Sequence, residues 1–335
     1  MTDALFLTSD EVADLATPAA FVAAVREGYR ERGMGAAAQP RSRFSRSDPD
    51  GTLMGYAAVL PETGAMGSLT YSVGFGAEDA WFMLSLFDAD SGEPLALLDG
   101  ASMNPFKTGA AGAVGVDALA RDDADTLAII GTGPQARGQL RTTATVREFT
   151  DVRVYSPTPA HRESFAADFD EELAATVRAV DSSEAAVSDA DVVITATRSN
   201  EPVFDGTHLN PGTHITAMGQ NSPETRELDT TTIERATYVP DLEARVDTAG
   251  EFVLAREEGA VTDDDVHAEL GEVVAGVAPG RTSDEEITVF DSGGTGIETV
   301  AAGYMLYENA REAGRGTELE FSPSSAALTG EVDDD

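Results

Sequence analysis

The 335-residue chain has no cysteine, and that absence removes disulfides, thiolate nucleophiles and cysteine-ligated metal sites. Basic residues are scarce: Lys and Arg total 22 against 60 Asp and Glu, a formal net charge of −38. Such a surface repels nucleic-acid phosphates and anionic lipids, so neither is expected as a partner. The carboxylates are spread along the chain rather than gathered in a tail. That pattern suits a protein kept soluble in concentrated salt, where self-repulsion is screened, and a salt-rich cytosol is the expected home. Only one lysine, Lys107, is present. The four histidines, His161, His208, His214 and His267, lack metal-site spacing and read as loop or surface residues. No apolar run is long enough for a membrane span, and the N-terminus MTDALFLTSDEVADLA begins acidic, so no targeting segment is expected and a cytoplasmic location is.

What is present is a nucleotide-type turn. Residues 126–140 read TLAIIGTGPQARGQL: an apolar β-prone run, then Gly131, Gly133 and Ala136 at GxGxxA spacing, then a helical stretch. Gly131 allows the tight turn, Gly133 lets the backbone approach a pyrophosphate, and Ala136 is small enough for close helix-on-strand packing. Thr132, Pro134 and Gln135 complete a loop whose free N–H groups face the phosphates. Strand, turn and helix occur in the order that a nicotinamide dinucleotide site requires.

At this length two domains are expected, and 41% hydrophobic residues support a folded chain. From residue 126, apolar runs (TLAII, DVRVYS, ATVRAV, DVVITAT, THITAMG, TYVPD, ITVFDS) alternate with polar helical segments. The alternation predicts an α/β, Rossmann-type doubly wound parallel sheet. Residues 8–33 predict one capped amphipathic helix, and 52–99 several strands without helices, hence a separate antiparallel or mixed sheet. Residues 101–120 predict a small-residue helix leading into the first Rossmann strand. IETVAAGYMLYENARE predicts a last helix with Val300, Tyr304, Leu306 and Tyr307 at helical spacing, returning to the N-terminal part.

An NAD enzyme places an acid at the end of the second Rossmann strand. Here the stretch is VYSPTPAHR, where Ser156 and Thr158 can bond a 2′-phosphate and Arg162 can neutralise it. The choice therefore tilts to NADP(H), with NAD(H) kept open. Thr197 and the turn Ser292, Gly293, Gly294 fall at carboxyl ends of strands, where the nicotinamide is expected.

In combination, QPRSRF at 39, SGEPLALLDG and KTGAAGAV from 91, LAIIGTGPQA at 127, ADVVITATRSNEPVF at 190, LNPGTHITAMGQNSPETREL at 209, HAELGEVVAG at 267 and FDSGGTGIE at 290 resemble the ornithine cyclodeaminase and mu-crystallin family. The resemblance implies a homodimer in which the Rossmann domain (115–296) is inserted in an α+β substrate-binding and dimerisation domain (1–114 plus 297–325), followed by a polar tail (326–335). It implies hydride exchange at the Cα of a small amino or imino acid. Such chemistry needs a cationic carboxylate clamp and a general acid or base near nitrogen.

Lys107 stands where the family usually has a carboxylate-holding arginine, and reads as clamp or proton donor. Arg41 matches the family's other carboxylate-binding arginine, with Arg43 as the competing alignment. Leu69 stands in place of the family's amine-handling lysine, and Asn221 in place of its aspartate after the THITAMG strand. Asn hydrogen-bonds but accepts no proton, and no acid for a distal amine appears in GTLMGYAAVLP. Glu298 stands where relatives often carry an acid on the last helix. The expectation is ketimine reduction or amino acid dehydrogenation, with Arg41, Lys107 and Asn221 as the catalytic set. Ornithine cyclodeamination and a non-catalytic NADP/small-ligand-binding protein are the alternatives.

Overall fold

The computed structural model describes residues 2–77, 79–218 and 222–323, and in it the chain forms two seven-stranded sheets. The first contains β1 (Thr2–Leu7), β2 (Ser42–Ser47), β3 (Asp50–Leu60), β4 (Ala65–Gly74), β5 (Trp81–Asp88), β6 (Pro94–Asp99) and the C-terminal strand Thr317–Phe321. Its order is Thr317–Phe321, β1, β6, β5, β4, β3, β2. Every pairing is antiparallel except β1 with β6, so the sheet is mixed. One face packs against helices Pro18–Gly33, Asn104–Leu119 and Gly296–Ala313 around Val25, Leu60, Leu84, Val114 and Leu306. The last helix thus returns to the N-terminal sheet, as its apolar spacing predicts.

The second sheet contains β7 (Thr126–Ile130), β8 (Asp151–Tyr155), β9 (Thr176–Ala179), β10 (Val192–Thr195), β11 (His214–Ala217), β12 (Ala236–Pro240) and β13 (Ile287–Asp291), ordered β12-β13-β11-β10-β7-β8-β9 and parallel throughout. All seven coincide with the apolar runs. β10, β11 and β13 are wholly buried, as expected where both faces are covered. The chain turns one way from β7 and the other way from β10, so their carboxyl ends form the crevice where open α/β sheets bind ligands.

The small residues of Asn104–Leu119 exist for close approach. A Cβ on Gly138 would lie 2.2 Å from Pro105 O, and one on Gly109 2.6 Å from Gly138 C. Only hydrogen in place of these side chains lets the helix after the dinucleotide turn (Pro134–Thr143) lie against the helix carrying Lys107.

Four expectations change. Residues 8–33 form two helices, Ser9–Val12 and Pro18–Gly33, because Thr17 caps the second through Ala20 N and Pro18 opens it. β2 and Thr317–Phe321 carry too few apolar residues to stand out, and β1 is a short apolar patch; all three are held as strands by pairing with neighbours. Between β10 and β11 the described residues hold only the short turn Gly206–His208 instead of an α-helix. His214 is not a surface residue: it is 0% exposed within β11, where Nδ1 meets Thr288 Oγ1 at 2.9 Å and Nε2 meets Thr216 Oγ1 at 3.0 Å. Two hydroxyls satisfy both ring nitrogens, and burial, with Arg281 and Arg147 adding repulsion, pushes its pKa down to about 3.

Candidate active site

At the mouth of β7, Gly131 has φ +114°, and a Cβ there would sit 2.2 Å from Ala196 O at the end of β10. A side chain is therefore excluded. Around Gly133 the opposite holds, since a Cβ would meet nothing within 4 Å. Gly133 caps the helix that Pro134 opens, with no side chain filling the cap. Ala136 is fully buried against the sheet, Thr132 is half-buried in the turn, and the buried Gln135 Oε1 has no partner. Open backbone donors at a helix start beside a glycine with free space fit a pyrophosphate.

Ser156, Thr158 and Arg162 gather at the end of β8. Ser156 is buried, and its carbonyl accepts from Arg162 Nη1 at 3.0 Å, while Arg162 Nη2 donates to the exposed Asp181 at 2.8 Å. Thr158 is the exposed cap of Pro159–Glu172, with its hydroxyl unused there. Thr197 follows β10, and its N–H donates to Glu227 Oε1 at 2.7 Å.

Arg41 precedes β2 and reaches across to the turn after β13, donating from Nη2 to Gly293 O at 2.6 Å and Gly294 O at 3.3 Å. Its guanidinium carbon stands 5.0 Å from the Tyr56 ring centroid and 5.5 Å from that of Tyr71. These contacts fix the guanidinium, yet Nε and Nη1 are buried without a partner. A guanidinium held this way keeps charged N–H donors to offer a carboxylate oxygen. Arg41, Arg43, Arg245, Gly293 and Gly294 line one cleft of about 110 Å³. Arg43 sits on its exposed rim, with Nε donating to Ser45 Oγ at 3.2 Å.

Lys107 is 2% exposed and so is no surface cation. Its Nζ lies 3.3 Å from Oε1 of the fully buried Glu298 and 3.4 Å from the hydroxyls of Tyr56 and Thr108. Burial works to lower the Lys107 pKa, but Tyr56 and Glu298 outweigh it, and the net direction is upward. Glu298 is therefore no solvated surface acid. Leu69, 1% exposed opposite Tyr56 in the sheet, leaves an apolar surface where an amine-handling lysine was expected. Asn221 lies outside the described residues.

A buried polar layer beneath the cleft escaped sequence reasoning. Arg245 donates from Nε to Asp241 at 2.8 Å and pairs through Nη2 with Asp291 at 2.6 Å. Asp241 Oδ2 accepts from Gly293 N at 2.7 Å and Gly294 N at 3.0 Å, which shapes the turn that holds Arg41. Ser292 Oγ is buried there without a partner. Glu251 accepts from the N–H groups of Glu227 and Leu228, and Glu227 in turn fixes Thr195 and Thr197. Burial raises the pKa of Asp241, Glu227 and, most of all, Glu251. The only trace in sequence is that Asp241 and Asp291 follow or close neighbouring strands, β12 and β13, whose pairing no sequence pattern reveals.

A model of the ornithine cyclodeaminase/mu-crystallin family matches residues 3–314. The chain belongs to this family. It is 33% identical over 330 residues to the alanine dehydrogenase of Archaeoglobus fulgidus, covering 95% of this chain and 99% of that protein. It is 36% identical over 265 residues to a Delta(1)-pyrroline-2-carboxylate reductase of Bacillus cereus, 78% of each chain. Among solved structures, Thermococcus litoralis Delta(1)-pyrroline-2-carboxylate reductase in complex with NADH and L-proline superposes with a TM-score of 0.89 at 31% identity, covering 94% of this chain and all of that one. An archaeal alanine dehydrogenase dimer with bound NAD gives the same score and identity, over 96% of this chain. The α/β fold with its Rossmann sheet is thus that of the family.

Proposed function

We propose that this protein is an NAD(P)-dependent oxidoreductase acting on the C–N bond of a small amino or imino acid, of the ketimine reductase or amino acid dehydrogenase kind. The observation that carries the reading is Arg41: a guanidinium clamped by two carbonyls and two tyrosine rings, with two buried donors unused, beside the crevice of a dinucleotide fold. Gly131, Thr132, Gly133, Pro134, Gln135 and Ala136 would hold the pyrophosphate; Thr197, Ser292, Gly293 and Gly294 would border the nicotinamide. When bound, the dinucleotide supplies or accepts the hydride at Cα. Arg41 takes the substrate carboxylate, Lys107 and Asn221 serve the nitrogen, and Tyr56 keeps the two cations at a fixed separation. Ser156, Thr158 and Arg162 favour NADP(H), provided that Arg162 leaves Asp181 for the 2′-phosphate.

Relatives of both kinds, the alanine dehydrogenase and the pyrroline-2-carboxylate reductase, support this chemistry. Leu69 and the apolar β3 strand disfavour a second amine on the substrate, and with it ornithine. The division into 1–114 plus 297–325 and 115–296 draws support from the presence of two separate sheets, its first boundary falling inside the helix Asn104–Leu119. The first sheet turns Phe44, Leu53, Trp81 and Met83 outward, 70%, 45%, 74% and 59% exposed, and Phe44, Leu53, Ser72 and Trp81 form one cross-strand row. An apolar face of this kind calls for a cover. A second copy fits, as the archaeal alanine dehydrogenase of the same fold is a dimer. No helix among the described residues is long and apolar enough to cross a membrane.

The test is oxidation of NADPH and NADH, followed at 340 nm in molar KCl, across a panel of cyclic imino acids and of 2-oxo acids with ammonia. Turnover with a member of the panel is expected. Proline and ammonia from ornithine without net dinucleotide consumption would instead establish cyclodeamination, and tight NADPH binding without any turnover a non-catalytic protein.

A further inference from the structure

Lys107 and Glu298 come from separate helices, are 2% and 0% exposed, and face each other at 3.3 Å. A buried ion pair seldom stabilises a fold better than apolar residues of the same size, so its position asks for a use. Glu298 is held twice over. Thr295 N donates to Oε1 at 2.6 Å and Thr295 Oγ1 to Oε2, the capping box that opens Gly296–Ala313. Among the described residues no other carboxylate lies within ion-pair distance of Lys107. The same carboxylate lies behind Gly294, which lines the cleft: a Cβ built on Gly294 would stand 3.5 Å from Glu298 Oε1 and 3.0 Å from Arg41 Nη2. Tyr56 closes the arrangement, its ring under Arg41 and its hydroxyl 3.4 Å from Lys107 Nζ. One corner therefore holds a cation without a labile proton, Arg41, and a cation with one, Lys107.

We propose that Glu298 is a positioning residue of this site, holding Lys107 charged and in place so that the Lys107 ammonium supplies the proton that the substrate nitrogen takes up. The inference rests on the reductase reading above. As hydride from NAD(P)H adds to the carbon of the C=N bond, the π pair moves onto nitrogen, where an N–H bond forms as one Nζ–H bond of Lys107 breaks. Lys107 is left neutral beside Glu298 and is recharged from water. In the oxidative direction the same groups run in reverse, with neutral Lys107 as base.

The chain's one lysine makes this observable directly. Protein grown on lysine labelled with carbon-13 at Cε gives a single side-chain resonance, that of Lys107, which is titrated in molar KCl without cofactor. The variant is Glu298→Gln, because Gln also serves in a capping box and removes only the charge. The Lys107 midpoint is expected to fall by about 2 pH units, since only Tyr56 is then left to oppose burial. Above the lowered midpoint, where the variant's Lys107 has lost its proton and the wild type's has not, kcat/KM for an imino acid falls, by up to about 100-fold for a shift of 2 units, and the alkaline limb of its pH profile moves with the resonance. NADPH affinity stays at wild type. Glu298→Asp, which keeps the charge, restores most of both readings. Glu11→Gln makes the same change in the capping box of Ser9–Val12, away from the cleft, and alters neither.

An unmoved resonance, or a moved resonance with an unmoved pH profile in an active enzyme, overturns the assignment. Lack of turnover in the wild type overturns the reductase reading together with proton delivery, and is told apart because the resonance still shifts.

Discussion

Histidine 214 offers a measurement in which the structure fixes both the sign and the size of the effect. The imidazole is enclosed between Thr288 and Thr216 and its pKa is pushed down to about 3, against an ordinary value of 6.5. The unfolded chain binds a proton at this residue below about pH 6.5 and the folded chain refuses it until about pH 3, so the residue's contribution to stability is lost as pH falls through that window. The loss runs at up to about 1.4 kcal/mol per pH unit, which amounts to about 2 kcal/mol between pH 7 and pH 5 and about 3 by pH 4. His214→Gln keeps a donor and an acceptor for the two threonines but does not titrate. Urea unfolding of both proteins in molar KCl, at a series of pH values, isolates the effect because every other titrating group is common to the pair. Wild type should lose about 2 kcal/mol relative to the variant between pH 7 and pH 5. Parallel stability curves across that range would falsify the enclosed, neutral imidazole.

Gly131→Ala should cost more than about 2 kcal/mol in the same unfolding assay, through the positive φ and the clash with Ala196 O, whereas Gly133→Ala should leave stability unchanged and weaken dinucleotide binding by calorimetry. Arg41→Lys should raise KM for the imino acid by roughly 100-fold at unaltered NADPH affinity, since a lysine cannot both hold the 293–294 carbonyls and donate to the carboxylate as the planar guanidinium does; an unchanged KM removes Arg41 from the carboxylate. Arg162→Ala should weaken NADPH by about tenfold or more and NADH little, read by fluorescence titration, because only the former carries the 2′-phosphate. With a net charge of −38, the melting temperature should climb with KCl from millimolar to molar, and a flat dependence would remove the argument for a salt-rich interior.

The Rossmann half was legible because its signals are local. A wholly buried parallel strand must be a continuous apolar run, and the turn at 131 needs glycine for reasons confined to a few residues. The run TLAII and the loop that follows it state both. The motif resemblance named the family and put Arg41, Lys107 and the 292–294 turn on one list of site residues. It did not show that Lys107 is enclosed, nor that Glu298 is its partner, because those two residues are 191 positions apart and meet only when the last helix folds back on the first sheet.

The same limit explains the errors. His214 lies between Thr213 and Ile215 and reads as polar surface, yet Thr288, the residue that satisfies its Nδ1, arrives from a strand 74 positions later. The layer of Asp241, Arg245, Glu251 and Asp291 looks in sequence like four more charges in an acidic chain; burial turns them into the support of the cleft. The sequence by itself settled where the Rossmann strands run and which cofactor chemistry the turn suits, since hydrophobic period and glycine stereochemistry act over neighbouring residues. Which charges are enclosed, which are paired and which are left with unused donors was decided by the tertiary structure, because desolvation and pairing depend on the surroundings that distant segments bring.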